Sequence, residues 1–406
     1  MAESWLMSFI IGMFIAILAL FARMHLRNWF APGAFFALMW SFFILLSLIL
    51  APSYPVSAVA VLYILMSVLA VYYGGLVGCG IYPNFRSIPS THLYLPLIKH
   101  VICIFIFLGF CYDIATIYLV GYRTSVFLSI DELASMGNEI SVARYSGYDI
   151  APFWLQLLLP FLYVSPLVGG LLFISETSRL ARLLSLLSLA PGLLSTVIRT
   201  TLANILFASA FWVASYLAGY VFLKKSKARL FTKGRLLTIL LLTLLGIPAM
   251  IIIHLLRIGL APTDILQELL RVRAYLFGSL SGFSQVFQMF QFVHKLPEGL
   301  YFDLDGGLVT NITTLFFFLI QDFNFLGSIL ILFAIGICAG WAYYQVLRGQ
   351  KNYIPILVTF YALTLCSFIT SIFNYNSLII SLFIFAVYIS ISKITSKEQC
   401  GNGLNK

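Results

Sequence analysis

The arginine residues beside apolar segments are the side chains in this sequence best suited to chemistry. Arg199 lies in the short stretch Arg199-Thr200-Thr201 between two apolar runs, and no acidic residue is near it in the sequence. The planar guanidinium of arginine can bind a phosphate through two parallel hydrogen bonds, whereas lysine acts as a point charge. Arg199 is therefore a candidate for binding an anionic, phosphate-bearing ligand.

His254 and Arg257 end another apolar run at a spacing of three residues, which places both on one face of a helix. Histidine titrates near neutral pH, so His254 is a candidate general base beside a phosphate-binding arginine. The alternative is an interfacial histidine that is hydrogen-bonded to the backbone.

Residues 264–276 have the pattern of an amphipathic helix. The predicted apolar stripe is Ile265, Leu269, Val272 and Leu276, and the polar stripe is Asp264, Glu268, Arg271 and Tyr275. Arg273 lies between the stripes, so this segment adds two arginines and a tyrosine to the candidate ligand-binding residues.

Glutamines recur every third residue after Gly282, beside phenylalanines: Gln285, Gln288 and Gln291 with Phe283, Phe287 and Phe290. Amides can bond sugar hydroxyls, and aromatic rings can cover the apolar faces of sugars. An aromatic helix lying at the lipid headgroups is the alternative interpretation.

Metal and nucleotide chemistry have weaker support. Asp303-Leu304-Asp305 is a D-x-D triplet, which could hold a divalent cation but is also typical of an exposed turn before Gly306-Gly307. The sequence contains no Walker-type phosphate loop and no G-x-S-x-G nucleophile motif. We therefore predict neither a metal site nor a cofactor.

The composition places these residues in a membrane protein. Of the 406 residues, 61% are hydrophobic and only 9% are charged, compared with roughly a quarter charged in soluble domains. Apolar runs of about 20 residues predict about eleven transmembrane helices in a single membrane-embedded domain, residues 1–406. The predicted spans are 5–22, 31–51, 56–78, 96–120, 153–174, 180–198, 202–222, 236–256, 325–347, 353–371 and 375–391. Pro191 and Gly192 interrupt the sixth.

The lysines and arginines set the orientation. The basic segment from Lys224 to Arg235 must be cytoplasmic, and alternation from it places most of the 24 basic residues inside. The N-terminus is then outside and the C-terminus cytoplasmic. Because the net charge of +10 is concentrated at span ends, it follows the positive-inside rule and argues against nucleic-acid binding.

Two long loops, about 121–152 and 257–324, remain on the periplasmic side. The basic residues left outside are mostly arginines: Arg123, Arg144, Arg199, Arg257, Arg271 and Arg273, with Lys295. Phosphate recognition is one explanation, and pairing with the acidic residues of the same loops is the other. The spans carry little charge, with Asp113 inside one run and Asp322 at the start of another, which favours chemistry at the outer face over transport.

Three stretches resemble the Wzy-type O-antigen polymerases, the oligosaccharide repeat-unit polymerases of bacterial surface polysaccharides. One is Thr196-Val-Ile-Arg199-Thr200-Thr-Leu with the following Tyr216-Leu-Ala-Gly219-Tyr220, and another is Arg271-x10-Gly282, which is similar to an R-x10-G motif. The third runs from Thr310 through Asp322-Phe-Asn324-Phe-Leu-Gly327 and resembles an Asp-Phe-Gly-x-x-Gly approach to a late span, with Asn324 in place of the first glycine. In the first loop, Ala134 stands where an R-x10-G glycine after Arg123 would fall.

The resemblance implies a GT-C-like, metal-independent glycosyltransferase in the bacterial inner membrane. It would polymerise undecaprenyl-diphosphate-linked repeat units into O-antigen polysaccharide at the periplasmic face. The implied partners are these lipid-linked glycans and a co-polymerase that regulates chain length. His254 or Asp322 would be the catalytic base, and the outer arginines, Tyr275 and Gly282 would bind the diphosphate or the glycan.

Two alternatives remain open. An O-antigen ligase would use the same donor with lipid A core as acceptor. A lipid-linked oligosaccharide flippase would be a transporter of similar size, although such transporters generally have short outer loops. The sequence equally allows a scaffold without enzymatic activity.

Overall fold

The chain is an all-α polytopic membrane protein, as its composition predicts. The computed structural model describes residues 2–80, 91–94, 97–145, 152–176, 178–223, 252, 253, 255, 265–289, 302–304, 309–310, 314–391 and 393–396. Among these residues, eight helical segments are long and apolar enough to cross a membrane, of which Phe153–Ser175 and Arg179–Ile198 each consist of two shorter helices, and Asn376–Ile391 is a shorter apolar helix. The total of about eleven spans stays a prediction, because most of the predicted span 236–256 lies outside the described residues.

The elements, in chain order, are α1 (Ala2–Leu26), α2 (Pro32–Leu50), α3 (Ala58–Cys79), β1 (Thr91–Tyr94), α4 (Ile98–Leu119), α5 (Ile130–Tyr145), α6 (Phe153–Gln156), α7 (Phe161–Ser175), α8 (Arg179–Leu187), α9 (Ala190–Ile198), α10 (Ala203–Leu223), α11 (Ile265–Met289), β2 (Phe302–Asp303), β3 (Val309–Thr310), α12 (Leu315–Leu347), α13 (Ile354–Cys366), α14 (Asn376–Ile391) and β4 (Lys393–Ser396). The four strands form two short antiparallel pairs, β1 with β4 and β2 with β3.

The described residues divide into two compact units. Unit 1 comprises residues 1–89 and 273–374, and unit 2 comprises residues 90–272 and 375–406. Each is described separately below, and the single domain expected from the sequence stays a prediction.

Unit 1 is built on the close packing of α3 against α12. A Cβ atom added to Gly336 would lie 2.6 Å from the carbonyl oxygen of Val71, and one added to Gly340 would lie 2.9 Å from the Cα of Gly75. The Gly-x-x-x-Gly pairs Gly74/Gly78 and Gly336/Gly340 therefore let the two backbones approach closely, which is a common basis of helix association in membranes.

Towards the start of α3, aromatic side chains from α11 and α12 surround Tyr63. Its ring centroid lies 6.2 Å from that of Phe283, 5.5 Å from that of Phe287 and 6.0 Å from that of Phe316. Because Phe283 and Phe287 are buried, they form core contacts. The predicted stacking of these two rings on a sugar is therefore wrong.

Part of the predicted second loop is helical. α11 continues through Gly278 and Gly282, and both glycines are buried. The predicted helix is present, and of its predicted apolar stripe Val272 is buried whereas Leu269 and Leu276 are exposed. The buried face of the later turns instead includes Ser279, Leu280 and Phe283, where small residues permit close packing.

Unit 2 contains α4–α10 and α14. Its predicted span 180–198 is divided into α8 and α9 at Ser188, just before Pro191 at the start of α9. Hydroxyl groups satisfy backbone carbonyls around the break: Ser165 Oγ donates to the carbonyl oxygen of Ser188 at 3.0 Å, and Ser185 Oγ to that of Gly169 at 2.7 Å. Such bonds explain how a membrane helix tolerates the interruption.

Candidate functional site

Arg199 ends α9 at a tight turn in unit 2. The amide of Arg199 donates to the carbonyl oxygen of Ser195, and the amide of Thr201 donates to that of Thr196. Between them Thr200 has a φ of 48°, the left-handed conformation that closes many helices and that β-branched residues rarely adopt. The cost of this conformation is about 1–3 kcal/mol, so the turn is held in place by its surroundings.

The guanidinium of Arg199 lies over an aromatic ring of α4. Its Cζ atom is 5.1 Å from the ring centroid of Tyr112, and the Tyr112 side chain is fully buried. A cation over a ring within about 6 Å is attracted to it, more strongly where water is excluded. This contact fixes the position of the Arg199 side chain beside α4.

Asp113, which follows Tyr112, is the acidic partner of this cluster. Its side chain is 1% exposed, is hydrogen-bonded to Ser195 and interacts electrostatically with Arg199. Its second carboxylate oxygen, Oδ2, has no hydrogen-bond partner among the described residues. A buried carboxyl group of this kind is either paired with a cation or protonated.

A chain of hydrogen bonds leads to Asp113 from two further helices. Tyr163 on α7 donates to Asn204 Oδ1 at 3.0 Å, and Asn204 Nδ2 on α10 donates to Ser195 Oγ at 3.0 Å. The Ser195 hydroxyl then bonds Asp113. All of these side chains are buried, so the network joins four helices around the carboxylate.

The first predicted outer loop covers the Arg199 turn. Its helix α5 places Met136 and Ile140 in an apolar cluster with Ile117 of α4 and Ile198 of α9. Thr200 Oγ1 also donates to the carbonyl oxygen of Gly137 at 3.3 Å. The loop is therefore structured around the turn.

Of the other predicted ligand-binding residues of unit 2, the structure describes the side chains of Arg123 and Arg271. Arg123 is exposed at the start of a short 3-10 turn, so it lies outside the buried cluster. Arg271 is half-buried on α11. Arg144 lies in the last turn of α5, but its side chain is outside the described residues, as are His254 and Arg257.

In unit 1, Arg273 is engaged in contacts with the α2–α3 connection. It donates to Ser53 Oγ at 2.7 Å, and its Cζ atom lies 4.8 Å from the ring centroid of Tyr54. Tyr275 is half-buried and Gly282 is buried. Asp322 is exposed on α12, two residues before a kink at Asn324.

Metal ligands are not grouped in the described part of the chain, where no three His, Cys, Asp or Glu side chains lie together. Of the D-x-D triplet, Asp303 lies in β2, whereas Asp305 is outside the described residues.

The sequence pointed to Arg199 but not to its partners. Asp113 was noticeable as an acid within an apolar run, and that signal could have marked it as functional. Ser195, Asn204 and Tyr163 carry no such signal, because serine, asparagine and tyrosine are ordinary components of membrane helices.

No family model matches the chain, and neither a curated protein nor a solved structure is significantly similar to it.

Proposed function

We propose that this protein is a GT-C-like glycosyltransferase of the bacterial inner membrane, an O-antigen polymerase that joins undecaprenyl-diphosphate-linked repeat units at the periplasmic face. The observation that supports this most is the Arg199 guanidinium, which lies at the end of an apolar helix over the Tyr112 ring and interacts electrostatically with the buried Asp113. An arginine at the predicted outer membrane surface is placed where the diphosphate of a polyprenyl-linked glycan would lie.

In the proposed reaction, a hydroxyl oxygen of the acceptor sugar attacks the anomeric carbon of the donor glycan. The bond from that carbon to the diphosphate oxygen breaks, and undecaprenyl diphosphate leaves with the electron pair. Arg199 stabilises the charge that develops on this leaving group, as preorganised cations do in other transferases. His254 or Asp322 would accept the proton of the hydroxyl, and this assignment stays a prediction.

Asp113 would act as a positioning residue for Arg199. Its buried carboxylate balances the arginine, and its bond from Ser195 connects it to the chain through Asn204 and Tyr163. Hydrogen-bonded networks of this kind hold side chains more rigidly than isolated pairs.

A transporter is the second candidate. The observation in its favour is the same buried Asp113, because acids enclosed by transmembrane helices often mark substrate or proton pathways. A lipid-linked oligosaccharide flippase would use the arginine to bind the diphosphate without breaking a bond.

Lipopolysaccharide from a host strain lacking this protein separates the candidates on a gel. A polymerase mutant makes lipopolysaccharide capped with one repeat unit, whereas a ligase or flippase mutant makes none with repeat units. We expect the single-repeat pattern, with the full ladder restored by the wild-type protein. Absence of any capped lipopolysaccharide would contradict the polymerase.

Arg199 variants in the same strain test the site. Arg199→Ala should leave the single-repeat pattern, and Arg199→Lys should restore little, because lysine cannot replace a bidentate guanidinium. Arg348→Lys is the matched control, since Arg348 also lies over a tyrosine ring, at 5.6 Å from Tyr344, on the predicted cytoplasmic side. A normal ladder from Arg199→Ala at wild-type protein levels would exclude Arg199 from the site.

A further inference from the structure

Unit 1 contains a cavity of about 250 Å³ that the reaction above does not use. Three separate segments line it: the first turn of α1, residues 52–57 between α2 and α3, and Ser284, Gln285 and Gln288 of α11. The predicted topology places all three segments on the outer side of the membrane. The cavity is therefore accessible to ligands of that compartment.

One wall of the cavity is rigid and aromatic. The indole nitrogen Nε1 of Trp5 donates to the carbonyl oxygen of Leu48 at 3.1 Å, and the Trp5 ring stacks on Phe9 at 5.4 Å. Ser4 Oγ donates to the carbonyl oxygen of Val56 at 2.7 Å, which attaches α1 to the α2–α3 connection. Since Trp5 is held by the hydrogen bond of its indole nitrogen and by its contact with Phe9, its ring presents a preformed surface.

The opposite wall is polar. Ser284 Oγ is buried and has no hydrogen-bond partner among the described residues. Gln285 is oriented by its Nε2 atom, which donates to the backbone carbonyl of Asp303 at 2.6 Å. Gln288, one helical turn after Ser284, is exposed at the cavity. A buried hydroxyl without a partner is costly, unless a ligand or water bonds it.

None of the described residues that line the cavity is charged. Arg273 lies over Tyr54, which lines the cavity, but Arg273 itself does not line it. A phosphate would require a cation or several backbone amides at the site. The lining therefore suits a neutral ligand that offers hydroxyl groups to serine and amide groups and an apolar face to an indole ring.

We propose that this cavity binds one neutral sugar ring of a glycan. Amides, a hydroxyl and aromatic side chains in one preformed pocket are the groups that recognise such a ring. The source of the sugar, a lipid-linked repeat unit, rests on the proposed function. The binding of a sugar ring does not.

The test is saturation-transfer NMR with the full-length protein in phospholipid nanodiscs, without sugar-based detergent. The probes are neutral hexoses, 6-deoxyhexoses and N-acetylhexosamines, with glycerol 3-phosphate as the anionic comparison. We expect a neutral sugar to bind with a dissociation constant on the order of millimolar. No transfer to any sugar, or stronger binding of glycerol 3-phosphate, would overturn the assignment.

Two pairs of variants locate the binding. Ser284→Ala should weaken it roughly fivefold, the value of one hydrogen bond, whereas Ser279→Ala should not. Ser279 is a matched control, because its hydroxyl is also buried without a partner on α11 but does not line the cavity. Gln288→Ala and Met289→Ala form the second pair, at exposed positions where we expect folding to be unaffected. Only Gln288→Ala should weaken the binding. Equal binding by all four variants would place the sugar elsewhere.

The binding measurement also separates this proposal from the proposed function. Arg199→Ala should bind the sugar like the wild type, because Arg199 is not among the residues that line the cavity. Sugar binding without polymerisation in the host would leave the cavity proposal intact and remove the polymerase. Polymerisation without sugar binding would overturn the cavity proposal and leave the polymerase intact.

Discussion

At the scale of single residues, the role of an ionisable side chain depends on where it lies relative to the apolar helices. Asp113 lies within an apolar helix and is almost completely buried. Asp113 interacts electrostatically with Arg199. Substitution of either residue is therefore expected to affect the other.

Asp113→Asn tests whether the carboxylate positions Arg199. Asparagine has the same shape and can still bond Ser195, but it removes the acidic group that interacts with the guanidinium. We expect turnover to fall about 10²-fold, the effect of displacing a catalytic group by roughly 1 Å. The measurement is in vitro polymerisation of lipid-linked repeat units by purified protein, with kcat and KM determined separately.

Asp131→Asn is the control for this substitution, because Asp131 is exposed in the first turn of α5. Loss of stability alone would lower the amount of folded enzyme in Asp113→Asn without changing the turnover of the molecules that remain folded. Unchanged kcat and KM per folded molecule would therefore show that Asp113 has only a structural role.

The sequence predicts individual residues of this site better than their partners. Arg199 stands out because it is an arginine between two apolar runs. The alternation of the predicted spans places it at the outer face. Its contacts with Tyr112 and Asp113 join α9 to α4, which are more than 80 residues apart. Contacts at that separation follow from helix packing, and no local periodicity encodes them.

At the scale of elements, α12 shows how the backbone of one residue bends a helix. It was predicted as the span 325–347, but it begins at Leu315 and bends at Asn324, where φ is 58° and ψ is −176°. Backbone of this kind strongly favours glycine. This explains physically why a glycine would suit the Asn324 position in the Asp-Phe-Gly-x-x-Gly pattern.

The α3–α12 packing predicts that Gly336 cannot carry a side chain. Gly336→Val should force the two backbones apart and prevent unit 1 from folding normally, because the added Cβ would lie 2.6 Å from the Val71 carbonyl oxygen. Cys338→Val is the control, since Cys338 is exposed on the same helix. Thermal unfolding of both variants, monitored by size-exclusion chromatography, measures the difference in melting temperature. Equal melting temperatures would contradict the proposed packing.

α11 is a helix that the sequence predicts without predicting which of its faces is packed. The spacing of Ile265, Leu269, Val272 and Leu276 correctly predicts a helix, but Leu269 and Leu276 are exposed. In a soluble protein an apolar stripe turns towards the core, whereas near a membrane lipid is an equally good solvent for it. Small and polar side chains can then occupy the packed face, as Ser279 and Ser281 do.

At the scale of the whole molecule, contacts within each unit join residues that the predicted topology places on the same side. In unit 1, Asn28 Nδ2 donates to the Tyr343 hydroxyl at 2.8 Å, and both residues are predicted to be at the cytoplasmic side. In unit 2, Lys99 and Glu176 form an ion pair at 2.7 Å, also at that side. Within unit 1, the segments around the cavity are all predicted to be on one side. Within unit 2, the same holds for α5 and the Arg199 turn.

The sidedness can be measured with a maleimide that does not cross membranes. In a variant whose six native cysteines are replaced, single cysteines would be introduced as Ser135→Cys, Leu300→Cys and Ala228→Cys. Intact cells should be labelled at 135 and 300, which lie in the two predicted outer loops. Position 228 lies in the basic segment that the positive-inside rule places in the cytoplasm, so it should remain unlabelled.

Permeabilised cells provide the control, because all three cysteines should then react. Labelling at 228 in intact cells, with 135 and 300 protected, would invert the molecule and place Arg199 at the cytoplasmic face. The proposed reaction would then lack its site, since the arginine would face the compartment opposite to the polymer. The opposite result places Arg199 where a lipid-linked glycan can reach it, as one of the few cations outside, against the general charge bias that keeps them in the cytoplasm.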